Sequence, residues 1–231
     1  LHEPWTGDDW YPEVPNTGDL ADEAFREALN GWDNDQRAQQ LKEAIETIEN
    51  PGAIKKIVCI GLGRLILPSA NNDKPEVCAV SLAQHTAAIK IAEQLKQLTG
   101  QDSRIYAVDP GYHAEHKRAL EKRNITILDN SYEKQEHFPE IDDSTIVIAI
   151  PGLSITYLKD LILEYARPAV LIIERSKVHD FPPWKSFQPD VTEDDTRVAR
   201  AKDFQWWEMF KSPRTSEGFG IRETIAVPGK P

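Results

Sequence analysis

Ile54–Gly63, IKKIVCIGLG, decides the fold of this chain. Ile57, Val58, Cys59 and Ile60 form a short apolar run between two lysines and a Gly-Leu-Gly. A run of that length, rich in β-branched residues and closed by glycine, reads as a buried parallel strand rather than a helix. Gly61 and Gly63 let the backbone turn sharply and approach a ligand closely. In α/β folds, ligands bind where such a strand ends. The plain alternative is a tight turn that binds nothing.

Outward from that stretch, apolar runs recur at Arg104–Asp109, Thr126–Leu128, Ser144–Ile150 and Ala169–Ile173. Helical patterns lie between them. One starts near Pro75 and stops at Gly100, one covers about Tyr112 to Arg123, and one runs from Ser154 to Arg167 before Pro168. Strands alternating with helices imply a parallel sheet covered on both faces. The expected class is therefore α/β, a Rossmann-like three-layer sandwich with a mainly parallel sheet. Phe204–Phe210 and Ile221–Val227 are expected to add a late antiparallel pair. The whole chain, 1–231, reads as one domain with its core at about 55–176. An N-terminal arm (1–52) and a C-terminal segment (177–231) pack on that core.

Composition narrows the classes. The chain has 231 residues and a net charge of -11. That balance argues against a nucleic-acid face. No apolar run is long enough for a membrane span, and no secretory signal is visible. Cys59 and Cys78 cannot form a disulfide framework, so a reducing cytoplasmic or nuclear compartment fits. The chain begins at Leu1 rather than Met, as a fragment of a longer protein would. All six tryptophans lie outside residues 55–176. Trp32, Trp184 and one of Trp206 and Trp207 are expected to pack the tails onto the core. Helices are expected at about Leu20–Asn30 and Asp35–Glu49, the second carrying Leu41, Ala44, Ile45 and Ile48 at helical spacing.

The candidate ligand residues follow from the strand ends. Gly61, Gly63, Asp109, Pro151 and Ser176 all fall where a predicted strand closes, so they share one sheet edge. Arg64–Lys74 reads as a loop, either a lid or an insertion. Position 66 is Ile, so the usual dinucleotide fingerprint is absent. Gln84 is the one strongly polar member of the stripe Val77, Val80, Gln84, Ala88, Ile91, Leu95, Leu98. It either faces the ligand edge or bonds nearby backbone. Asp109 closes the second strand, where an acid hydrogen-bonds a ribose; an ordinary turn-forming Asp before Pro is the alternative. His113 and His116 are three apart. They are either a zinc pair without a third ligand or, more simply, a solvated helix face.

KIVCIGLG, the Gln84 helix, YAVDP at 106–110, VIAIPG at 147–152, LIIERS at 171–176 and DFQWWEMF at 203–210 together resemble the SRR-like domain, named for sensitivity to red light reduced. The order and spacing match from about Lys55 to Phe210. Family members tend to have Pro-His-Cys where this chain has Pro151-Gly152-Leu153, and Asn-Ser where it has Arg175-Ser176. The resemblance implies a eukaryotic intracellular protein, linked in plants to light and clock signalling and elsewhere to tetrapyrrole or haem metabolism. It supplies no catalytic residue.

Three functions stand open at this level. The first is a regulatory protein with a nucleotide-type pocket, with protein partners. The second is an S-adenosylmethionine-dependent methyltransferase-like enzyme, since a glycine turn, an acid after the second strand and a late antiparallel pair also describe that class. The third is an interaction module with a vestigial pocket. The loop after Gly63 displaces the next helix start, which weakens a phosphate site. S-adenosylmethionine, or another adenosine-containing ligand without phosphate, therefore suits the edge better than NAD.

Overall fold

The structure is a computed structural model that describes residues 17–34, 36–68, 75–129, 136–150, 168–174, 199–200 and 221–226. The apolar run around Val58 is strand β1 (Lys56–Ile60). A two-strand piece follows, β2 (Ile66–Leu67) and β3 (Glu76–Val77). Then come β4 (Arg104–Val108), β5 (Ile125–Ile127), β6 (Thr145–Ala149) and β7 (Val170–Glu174), with β8 (Ala199–Arg200) and β9 (Ile221–Ala226) late in the chain. Helices α1 (Gly18–Gly31), α2 (Gln36–Glu46), α3 (Ala79–Thr99) and α4 (Ala114–Glu121), with single 3-10 turns at Trp32–Asn34 and Pro51–Ala53, complete the described elements.

Seven strands make one sheet in the order β5-β4-β1-β6-β7-β9-β8. β1 pairs parallel with β4 on one side and β6 on the other. β5 and β7 extend the parallel set. The chain leaves β1 in one direction for β4 and β5, then crosses to the other side for β6 and β7. The strand order reverses at the β1/β6 boundary, the place where open α/β sheets take ligands. The expected parallel sheet of five strands is thus present, as is the Rossmann-like class.

β9 is the late antiparallel strand, pairing with β7 on one edge and β8 on the other. Its expected partner, Phe204–Phe210, lies outside the described residues, as does the expected helix Ser154–Arg167. Alternation along the strands splits the core in two. Ile57, Cys59, Ile105, Ala107, Ile146 and Ile148 face the helices, with Phe25, Leu41, Ile91 and Leu120 above them. Val58, Ile60, Tyr106, Val108, Val147 and Leu171 bury the other face with Ile141. Cys59 is an inert part of this core, its thiol pushed up to about 12 by burial.

Two expectations need correction. The segment after Gly63 is not all loop, because Ile66 and Leu67 pair antiparallel with Val77 and Glu76. The Cys78 N–H donates to the Leu65 carbonyl at 2.8 Å and closes that hairpin at its base. The pairing holds Cys78 extended, so α3 starts at Ala79 and not at Pro75. At its far end α3 stops as expected, with Gly100 left-handed at φ 72° and its N–H on the Lys96 carbonyl.

Within the expected N-terminal arm, α1 and α2 pack against α3. Trp32 is 5% exposed; the other five tryptophans lie outside the described residues. α1 buries Ala21, Ala24 and Phe25, one helical face, against α3 and α4. The Phe25 ring meets His85 of α3 edge-on at 6.3 Å, and the Arg123 guanidinium lies 4.3 Å from its centroid. Arg123 also bonds Asp22 of α1 at 2.7 Å and the Ala119 carbonyl of α4 at 2.6 Å. Phe25 is fully buried at this three-helix junction. Phe25→Ala is expected to cost about 3–5 kcal/mol in urea unfolding, the usual loss for a large core side chain. A loss under ~1 kcal/mol would show that α1 is not part of the folded unit.

Candidate functional site

The end of β1 is stitched to both neighbours. The Gly61 N–H donates to the Val108 carbonyl of β4, and the Ile60 carbonyl accepts from the Ile150 N–H after β6, both at 2.9 Å. The backbone then turns through Gly61 at φ 72° and Gly63 at φ 80°. Both lie in the left-handed region that glycine alone enters without strain. The turn the sequence calls for is therefore built, and it stands at the strand-order reversal.

Asp109 follows β4 and reaches across to this turn. Its Oδ2 accepts from the Gly63 N–H at 2.8 Å, and its Oδ1 accepts from the Gly111 N–H at 2.7 Å. One carboxylate therefore fixes two loops. Burial pushes the Asp109 carboxyl above the usual carboxylate range; the two backbone N–H groups and the Arg64 charge pull it back. Arg64 is 5% exposed, and its stem fills the space over Gly111. A Cβ on Gly111 would sit 2.7 Å from Arg64 Cγ, so this close approach requires glycine.

α3 carries the second part of the site. The Ser81 hydroxyl donates to the Leu62 carbonyl at 2.7 Å, tying the helix to the glycine turn. His85 Nδ1 lies 2.7 Å from the Ser81 carbonyl and Nε2 lies 2.6 Å from the Tyr112 hydroxyl. A carbonyl only accepts, so Nδ1 carries the proton and Nε2 accepts from Tyr112. Burial drives His85 down to about 4, with the Ser81 carbonyl opposing, and it is neutral at pH 7. Gln84, the expected polar residue, is buried on the same stretch of α3.

His113 and His116 are not a solvated helix face. His116 is 2% exposed and its Nδ1 accepts from the His113 N–H at 3.4 Å. Burial and the nearby Arg64 charge lower it to about 4, against a hydrogen bond with the Gly111 backbone. No group of three or more metal-ligating side chains occurs among the described residues. No helix there is long and apolar enough to cross a membrane.

Gly61, Gly63, Gln84 and Asp109 thus all lie at the β1–β4 end or on the helix that follows it. Pro151 and Ser176 lie outside the described residues. The sequence reading missed Arg64, Ser81, His85 and Tyr112 as members of this cluster. A signal for two of them, Ser81 and His85, exists. Val77–Ile89 contains no Asp, Glu, Lys or Arg, and a helix start without charge is one buried all round.

The SRR1 domain model matches residues 39–205 of the chain. The chain belongs to the SRR1 domain family. No curated protein and no solved structure matches it. The SRR1 domain match takes in β1 to β8 together with the glycine turn, Asp109 and the buried face of α3. α1 and β9, which complete the sheet and cover α3, lie outside it.

Three tests follow from this geometry. Gly63→Ala places a Cβ on a left-handed residue and is expected to destabilise the fold by about 1–2 kcal/mol; the urea midpoint reads it. Acid acts through the histidines. His85 and His116 have folded values near 4 against 6.5, so the unfolded chain binds more protons in that window. Stability is expected to be complete above pH 6.5 and to fall as the pH drops toward 4. Tyr112→Phe strands the His85 acceptor at a cost of about 1–3 kcal/mol at pH 7. A urea midpoint unchanged between pH 7 and 4.5 would contradict the buried neutral histidines.

Proposed function

We propose that this SRR1-domain chain is a regulatory protein that binds an adenosine-containing small molecule beside Gly61, Gly63 and Asp109. One observation carries the reading: a left-handed glycine turn at the reversal point of the sheet, with an acid at the end of the neighbouring strand. An ionised carboxylate has about four lone-pair sites, and backbone donors use two at Asp109. The remaining two suit ribose hydroxyls. Gln84 orients a polar group of the ligand from α3.

S-adenosylmethionine is the favoured ligand. Numbered in chain order, the seven strands of the large sheet run 3-2-1-4-5-7-6, the seventh antiparallel. That arrangement, with the glycine turn and the acid after the second strand, describes methyltransferases. It supports the cofactor more than the reaction, because fold does not fix chemistry. A second reading, an interaction module with a vestigial pocket, is favoured by the internal bonding of the turn itself.

Calorimetry with S-adenosylmethionine, S-adenosylhomocysteine and NAD separates these readings. The two adenosyl sulfur compounds are expected to bind, and Asp109→Asn to weaken them about tenfold. Binding with transfer of the methyl group to an acceptor protein or small molecule selects the enzyme. No heat with any of the three selects the interaction module.

A further inference from the structure

We infer that the glycine turn is an anion site already filled by the chain's own Asp109. Resting on the adenosine-ligand reading above, the inference is that the site takes a ligand that is neutral or cationic where it meets the turn. It rejects one that places phosphate there.

In phosphate-binding turns, backbone N–H groups after the first strand and the N-terminus of the next helix point at the ligand oxygens. Here the N–H groups of Gly61, Gly63 and Gly111 are spent inside the protein. The Gly63 and Gly111 N–H groups hold the two oxygens of Asp109 at 2.8 and 2.7 Å, as they would hold two oxygens of a bound anion. The Gly61 N–H is in the β1–β4 ladder. The Leu62 carbonyl takes the Ser81 hydroxyl, and the Leu65 carbonyl takes the Cys78 N–H.

The helix is also set differently from that of a phosphate-binding turn. α3 begins at Ala79, beyond the β2–β3 hairpin, instead of within the glycine turn. Its Cys78 N–H, which opens the helix, is the one closing that hairpin.

Charge points the same way. Arg64 and Asp109 offset one another, and Arg64 is held over Gly111 by its stem. His85 and His116 face the same region from α3 and α4 and are neutral at pH 7, both lowered to about 4 by burial. Tyr112, next to Asp109, is held in its neutral form. A phosphate entering this turn would meet a fixed carboxylate with no surplus positive charge among the described residues around it. Like charges brought together in a confined site are strongly disfavoured. A ribose hydroxyl meets the same carboxylate as an acceptor, and a sulfonium meets it as a counter-charge.

The test titrates the full chain with adenosine, S-adenosylhomocysteine, ADP and inorganic pyrophosphate, as wild type and as Asp109→Asn. For the wild type, ADP and pyrophosphate are expected to bind at least ~100-fold more weakly than adenosine or S-adenosylhomocysteine. In Asp109→Asn, with one oxygen replaced by a donor and the charge removed, pyrophosphate is expected to gain about tenfold or more. Wild type binding ADP as tightly as adenosine overturns the inference and leaves the adenosine site standing. Pyrophosphate gained by Asp109→Asn, with adenosine bound by neither protein, supports the inference and removes the adenosine reading. No gain by a folded Asp109→Asn overturns it. Should that variant fail to fold, the Gly63 amide resonance of the wild type decides. It should stay fixed on addition of pyrophosphate, and a saturable shift would overturn the proposal.

Discussion

The Asp109 carboxylate is the tie on which the β1–β4 end of the sheet depends. Each oxygen accepts one backbone N–H, from Gly63 on one loop and Gly111 on the other. Neither loop has regular structure at those residues, so this carboxylate replaces the ladder that fixes the strands below. Burial works against its charge, and the two N–H donors with Arg64 offset that cost. A half-buried carboxylate with charge-assisted bonds to backbone holds geometry tightly because its loss leaves two donors unpaired. The left-handed glycines, the close stem of Arg64 and the position of Tyr112 all follow from where this group sits.

The opposite end of the sheet is held by a different acid. Asp142 precedes β6 and bonds Lys56 of β1 at 2.7 Å. It also accepts from the Ser144 N–H and hydroxyl and from the Thr145 hydroxyl. Burial opposes its charge, but Lys56 and these donors outweigh it and hold the carboxyl well below the usual range. The contrast with Asp109 is instructive. Both acids bridge neighbouring segments, yet at the better hydrated Asp142 the donors outweigh burial, while at the more buried Asp109 burial outweighs them.

How much of this was legible in the sequence depended on whether the signal was local. The strands were legible because alternation and short β-branched runs are local, and because Gly100 and the Pro-Gly pair after Asp109 mark ends. The β2–β3 hairpin was not, since two-residue strands leave no period to detect and Pro68 reads as loop. The role of α3 was half legible. A single stripe through Gln84 and Ile91 was visible, but α1 and α2 cover the outer side of the helix, so Ser81, His85 and Thr86 are buried too. Burial imposed by a segment some sixty residues earlier leaves no periodic trace. Its one trace is the absence of charge from Val77 to Ile89. His116 was misread for a similar reason, because Arg64 and the Gly111 backbone lie against a helix face that looks solvated from its spacing.

Family membership and physical completeness also divide the chain differently. The SRR1 domain match begins inside α2 and ends soon after β8. The buried surface does not respect those limits. Phe25 in α1 touches His85, which holds Tyr112, which sits beside Asp109 and therefore beside the glycine turn. β9, past the other limit, pairs along β7 and completes the sheet. A polar chain from Ser81 through His85 to Tyr112 is stable only if water is excluded along its length, because each buried donor or acceptor has a single partner available. The covering is supplied by α1. The geometry of the β1–β4 edge therefore rests on a helix that the family match does not include.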